Sequence, residues 1–218
     1  EPQEVTLRYG GQTVELVTES VTFANAPQKG QIVVQKNDAE SGKPITASPA
    51  VFEIHAKTDI ITADGTVRCK AGELVDTIIT ANGIATSKPL YLGTYTVTEK
   101  TAPDGYVQDG KRYPVSLEYA GQTVKIVTES VTVPNTPQKG TITVHKTDSE
   151  TGKPIILSPA TFEVYAAADI ITPDGTVRYT KGQLVDTLVT VNGVATSKLL
   201  YLGDYIVIET IAPEGYIL

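Results

Sequence analysis

The chain of 218 residues contains no methionine and no tryptophan, one cysteine (Cys69) and two histidines (His55 and His145). A single thiol rules out an internal disulfide framework and any cysteine-rich metal site. Two histidines leave too few ligands for most zinc chemistry. Lys and Arg are scattered without a basic run and the net charge is −7, so nucleic acid and anionic membranes are poor partners. The apolar runs are only a few residues long, and none would cross a bilayer. With no initiator residue and no signal peptide, the sequence reads as a mature piece or an excerpt. What is present is a globular composition, 40% hydrophobic and 20% charged, with room for one large domain or two of about 100 residues.

The strongest feature is a long internal repeat. VTESVTFANAPQKG recurs as VTESVTVPNTPQKG, DIITADGTVR as DIITPDGTVR, and LYLGTYTVTEKTAPDGY as LYLGDYIVIETIAPEGY. Asn25 and Asn135, Lys36 and Lys146, and Glu99 and Glu209 are each separated by 110 residues. That period is too long for a solenoid, so each unit is expected to be an independent domain of a tandem array. Framed at the QKG linker, residues 29–138 form one complete copy. Residues 1–28 correspond to the last strands of a preceding copy, and 139–218 to the front of a following copy without its last strands.

Within a unit the pattern is β. Ile142 to Lys146, Tyr95 to Glu99 and Val131 to Asn135 alternate with period two, and Asp64-Gly65, Asn82-Gly83, Asp104-Gly105 and Gly121 punctuate the runs. No stretch sustains a helical period. Six or seven short strands per 100 residues or so predict an all-β fold of tandem antiparallel β-sandwich domains.

Strand parity singles out three polar residues. Lys36 shares a face with Ile32 and Val34, Glu99 with Tyr95 and Val97, and Asn135 with Val131 and Val133. The same parity holds for Lys146, for Glu209 and, in the leading segment, for Asn25 beside Val21 and Phe23. An amine, a carboxyl and a carboxamide therefore point toward one apolar interior, where each needs a partner. Each also has a plainer reading: a snorkelling lysine, a solvated cross-strand glutamate, a turn-forming asparagine. The arithmetic of the strands leaves both open.

GTITVHKTDSETGKPI, followed by ATFEVY, LYLGDYIVIETIAPEGY and a closing VTVPNTP, resembles the Cna B-type (prealbumin-like, SpaA-type pilin) domain of Gram-positive surface proteins. The resemblance covers essentially the whole chain and includes the E-x-x-A-P-x-G-Y signature, Glu99 to Tyr106 and Glu209 to Tyr216. It implies an immunoglobulin-like or prealbumin-like sandwich locked by an intramolecular isopeptide bond. Lys36 would be the nucleophile, Asn135 the electrophile and Glu99 the proton shuttle. Lys146 and Glu209 hold these positions in the following copy, and Asn25 in the preceding one. Burial should lower the lysine pKa and raise that of the glutamate, giving a neutral amine beside a neutral acid.

The expected function is a structural stalk or fibre module, extracellular and attached to the cell surface or cell wall, with no cofactor and no metal. Its expected partners are neighbouring copies of itself or adjacent repeats, head to tail: either segment 1–28 of one chain completes 139–218 of the next, or the sequence is cut from a longer array and the following repeat of the same polypeptide completes it. The alternative is an adhesin presenting the turn-rich Asp59–Asn82 region and its copy Asp169–Asn192 to a host protein or glycan. Turnover on an added substrate is not expected, since no nucleophile–base motif, phosphate loop or metal cluster appears. Cys69 aligns with Tyr179 and falls outside the repeated design.

Overall fold

The computed structural model describes residues 2–218. The complete copy folds into ten strands: β1 (Lys29–Asp38), β2 (Val51–Ala56), β3 (Ile60–Ile61), β4 (Val67–Cys69), β5 (Leu74–Ile79), β6 (Ile84–Thr86), β7 (Leu90–Tyr91), β8 (Gly93–Thr101), β9 (Arg112–Leu117) and β10 (Ile126–Asn135). One sheet runs β10-β1-β6, with β7 also paired to β1; the other runs β5-β2-β8-β9; β3 and β4 form a small hairpin. Alternating side chains fill the space between the sheets. Ile32, Val34, Phe52, Ile54, Tyr95, Val97 and Val133 have no exposed surface, and at roughly 1.5–3 kcal/mol for each such side chain their burial is the main favourable term of this fold.

All pairings within this copy are antiparallel except one. β1 and β10 run parallel along their whole length, from Lys29↔Ile126 to Asp38↔Asn135, a departure from the purely antiparallel sandwich expected from the sequence. Period-two alternation carries no information on strand direction, so the pattern could not reveal it. The consequence is mechanical. Tension entering at Lys29 and leaving beyond Asn135 pulls the two strands past each other in shear.

Turn chemistry follows the sequence closely. Asn82 and Gly83 both adopt positive φ (51° and 79°), and Ala81 and Ile84 exchange backbone hydrogen bonds of 2.8 and 3.1 Å. This is the two-residue hairpin for which Asn-Gly is suited. A side chain at Gly83 would meet Cβ of Pro44 at 2.9 Å.

The second copy contributes β11 (Lys139–Gly140), β12 (Thr143–His145), β13 (Thr161–Ala166), β14 (Ile170–Ile171), β15 (Val177–Tyr179), β16 (Leu184–Val189), β17 (Val194–Thr196), β18 (Leu200–Tyr201) and β19 (Tyr205–Ile211). Its sheets repeat those of the first copy but stop short. β19 pairs only with β13, and β12 only with β17, whereas their counterparts β8 and β1 are each flanked on both sides. The core thins accordingly: Val97 is fully buried, whereas its counterpart Val207 is 38% exposed. Residues 2–28 lie outside any strand, with Val5, Leu7, Val21 and Phe23 exposed.

Candidate functional site

β1 and β10 present Lys36 and Asn135 from one sheet, and β8 presents Glu99 across the core from the other. Residue exposures are 0% for Lys36, 6% for Glu99 and 1% for Asn135. The inward orientation expected from strand parity is therefore the one observed. Glu99 stands at the centre. Its Oε1 lies 3.7 Å from Lys36 Nζ, and both of its carboxylate oxygens accept from Asn135 Nδ2 at 3.0 Å. Lys36 Nζ also donates to the carbonyl of Val133 at 2.7 Å. Asn135 Oδ1 is buried and accepts no hydrogen bond, a costly position for a carboxamide oxygen.

Burial loosens the hold of Lys36 on its proton. Burial lowers the pKa of Lys36 to about 8, against the opposing pull of Glu99 and Asp109. At neutral pH roughly one molecule in ten then carries a free amine, against about one in three thousand for an ordinary lysine.

Several residues that complete the site were not foreseen. The backbone N–H of Asp109 donates to Glu99 Oε2 at 2.7 Å, and Gln108 Nε2 donates to the Glu99 carbonyl at 3.0 Å, so the loop after the A-P-x-G-Y turn fixes the carboxyl. Tyr113 in turn donates to Asp109. The signature tyrosine has a definite partner as well: Tyr106 donates to Asp38 Oδ2 at 2.8 Å, tying its turn to the end of β1. Parity could have found Asp38, two residues beyond Lys36 on the same face. The Asp109 contact is made by backbone and leaves no residue-type signal.

In the second copy Lys146 and Glu209 meet directly at 2.9 Å, with side-chain exposures of 19% and 21%. No carboxamide stands between them, and Glu209 Oε1 is buried without a hydrogen-bond partner. Asn25 is exposed and, among the described residues, makes no hydrogen bond to Lys146 or Glu209. The structure thus brings together three of the six expected residues as a triad and two more as a pair, and leaves the sixth apart. Cys69 is a half-buried free thiol on β4 whose pKa burial pushes up. Among the described residues no group of three His, Cys, Asp or Glu is placed to hold a metal ion, and no helix is long and apolar enough to cross a membrane.

Two tandem copies built of strands, without a helix among the described residues, and in the first copy a lysine and an asparagine from one sheet buried against a glutamate of the other, define a prealbumin-like β-sandwich architecture. The chain belongs to the SpaA prealbumin-like fold domain family, whose model matches residues 30–132 and again 140–218. Among solved structures, the Bacillus anthracis TIE protein is 25% identical, with a TM-score of 0.59 over 88% of this chain. The chain spans 30% of that protein's length. A streptococcal ancillary pilin (20% identity, TM-score 0.37, 88% of this chain and 56% of that one) also matches. So does the shaft pilin SpaA of Lactobacillus rhamnosus GG (15%, 0.36, 87% and 90%). A search of curated protein sequences returns no match.

Proposed function

We propose that this chain is a tension-carrying module of an extracellular Gram-positive surface fibre or stalk, locked by a self-formed Lys36–Asn135 isopeptide bond. The observation that carries the reading is the fully buried triad, in which one carboxyl touches both the amine and the carboxamide it would join. The neutral amine of Lys36 attacks Cγ of Asn135. Glu99 takes a proton from the lysine nitrogen and delivers it to Nδ2, which lies 3.0 Å away and departs as ammonia. One C–N bond forms, one breaks, and the amide count is unchanged. Nothing is oxidised. The reaction runs once and the protein is its own substrate, so the module is not an enzyme.

The placement suits the load. In the parallel β1–β10 pair, force enters at Lys29 and exits past Asn135. A bond from Lys36 to Asn135 carries that force across and leaves the 98 residues between them unstrained. In single-molecule extension, the linked unit should therefore lack an unfolding step of about 350 Å, the reach of that many extended residues. Appearance of the full step in untreated wild-type chain would refute the function.

The second copy supports completion by strand donation from another chain. In segment 1–28, Val5, Leu7 and Phe23 are 54%, 68% and 63% exposed, while their counterparts Val115, Leu117 and Val133 are 8%, 2% and 0% exposed. Inserted beside β19 and β12, the segment would bury those side chains and close two open edges. It would also bring Asn25 of one copy to Lys146 of another, with the unpartnered Glu209 Oε1 in place to receive it. Ladders that survive boiling in denaturant, and vanish in Asn25→Ala, are the expected result. A wild-type preparation without ladders at high concentration would reject the intermolecular bond.

A further inference from the structure

The two copies meet through a built joint. From the first copy, Asp38 and Glu40 reach Arg178 of the second, with Arg178 Nη2–Asp38 Oδ2 at 2.7 Å and Nη1–Glu40 Oε2 at 3.2 Å. Glu40 also meets Lys139 Nζ at 2.8 Å and accepts from Tyr201 at 2.6 Å, while Ser41 donates to Asp174 at 2.6 Å. The backbone N–H groups of Thr46 and Ala47 both donate to the carbonyl of Pro173, at 3.3 and 3.1 Å. An acidic turn on one copy thus plugs a basic, aromatic socket on the next.

Both halves of this joint exist a second time, unfilled. The socket recurs 110 residues earlier around Lys29, Arg68 and Tyr91, and it is already set. Arg68 Nε donates to Thr62 at 2.9 Å, as Arg178 does to Thr172 at 3.0 Å. Arg68 lies 5.0 Å over the Tyr91 ring and Lys29 4.6 Å; the filled copy has 4.8 and 4.4 Å. Asp64 holds its Thr62 and Thr66 hydroxyls as Asp174 holds Thr172 and Thr176. What differs is exposure: the Asp64 side chain is 57% exposed and the Asp174 side chain 0%.

The plug recurs 110 residues later. Asp148 accepts the N–H groups of Glu150 and Thr151 at 2.9 and 2.8 Å and the Tyr216 hydroxyl at 2.8 Å. Asp38 is held in the same way, by Glu40, Ser41 and Tyr106. The substitutions between copies keep the donors and acceptors: Thr151 retains the Ser41 hydroxyl, and Ala63 retains the Pro173 carbonyl. The residues corresponding to Thr46 and Ala47 are Ile156 and Leu157, which are 58% and 96% exposed.

We propose that the Lys29–Arg68–Tyr91 socket of one chain takes the Asp148–Glu150–Thr151 turn of a second copy, reproducing the interior joint head to tail. The interface is heterologous, so each addition leaves a free socket and a free plug, and growth gives a filament with the rotation of the interior joint. The linker is compatible with strand donation, because Gln28-Lys29-Gly30 would cross this joint as Gln138-Lys139-Gly140 crosses the interior one. The joint itself does not require that donation.

Sedimentation velocity on the full chain tests the proposal. The Asn25→Ala chain, which cannot form the covalent ladder, should associate reversibly at low salt and less at high salt. Arg68→Glu alone, and Glu150→Arg alone, should each weaken association about tenfold or more while leaving the melting profile in place. An equimolar mixture of those two variants restores charge complementarity at every junction and should associate again. Phe23→Asp separates this proposal from strand donation, since it should remove boiling-resistant ladders but keep the reversible association. Association unaffected by Arg68→Glu, failure of the mixture to recover, or a wild-type chain monomeric at its solubility limit would each overturn the joint, whatever Phe23→Asp does.

Discussion

Replacing Asn135 by alanine removes the electrophile and leaves Lys36 and Glu99 facing each other in the core. Two consequences follow with separate magnitudes. The first is loss of the crosslink. Closing a loop of about 100 residues constrains the unfolded chain by up to ~4.7 kcal/mol in the chain-entropy treatment used for disulfides. At roughly 4 °C per kcal/mol for a domain of this size, the melting temperature of the complete copy should fall by about 20 °C. The second is a new pH dependence. Lysine in the unlinked fold has a pKa of about 8, against 10.5 for the unperturbed group. Between those values the unfolded chain binds more protons, so stability rises with pH. The penalty for holding a charged Lys36 in the core is fully present below pH 8 and is relieved as pH climbs toward 10.5. From pH 7 to pH 9.5 the gain is about 2 kcal/mol. Denaturant unfolding of Asn135→Ala, compared with the Lys36→Ala/Asn135→Ala double variant to cancel other groups, reads this difference directly. Under the proposed crosslink the lysine of the wild-type chain is an amide, and that chain should show no such component. An Asn135→Ala protein that melts within a few degrees of wild type, or whose pH profile matches the double variant, would refute both arguments.

Three further outcomes follow from the same contacts. Glu99→Gln keeps the shape but cannot relay a proton, so peptide mapping should find Lys36 and Asn135 unlinked in a folded protein. Arg178→Glu sets a carboxylate against Asp38, with which Arg178 pairs at side-chain exposures of 10% and 0%; breaking a buried pair of this kind costs about 3–5 kcal/mol. Small-angle scattering should then show the two copies losing their fixed orientation while each retains its own melting transition. Gly83→Ala forces a side chain into a positive-φ position and against Pro44, and should lower the stability of the first copy by about 1–2 kcal/mol in chemical denaturation.

Much of the fold was legible in the sequence because it rests on periodicity, and the same periodicity gave the inward face of the three polar residues, though not their roles. Ile32 and Val34 fixed the inward face of β1 and therefore carried Lys36 with them; Tyr95 with Val97, and Val131 with Val133, did the same for Glu99 and Asn135. The Asn82-Gly83 dipeptide marked its hairpin because few other pairs accept two positive φ angles. Direction and long-range contact were not legible. The parallel run of β1 beside β10 has no pattern of its own, and Asp109 holds Glu99 through a backbone N–H that any residue would offer. The joint of Asp38 and Glu40 with Arg178 was hidden for another reason. A repeat reveals which residues recur, but not which surface of one unit meets the next. Strand parity gave Lys146 and Glu209 a face each but not their 2.9 Å contact, and the 38% exposure of Val207 reflects the open edge of β19.

The central claim is a covalent bond between Lys36 and Asn135, and the intact mass of fully denatured protein tests it most directly. The account predicts a wild-type monomer lighter than its sequence by one ammonia, with the full mass restored in both Lys36→Ala and Asn135→Ala once each substitution is counted. A wild-type monomer at its full calculated mass, with Lys36 and Asn135 recovered in separate peptides, would reduce the buried triad to a hydrogen-bonded cluster and contradict the account.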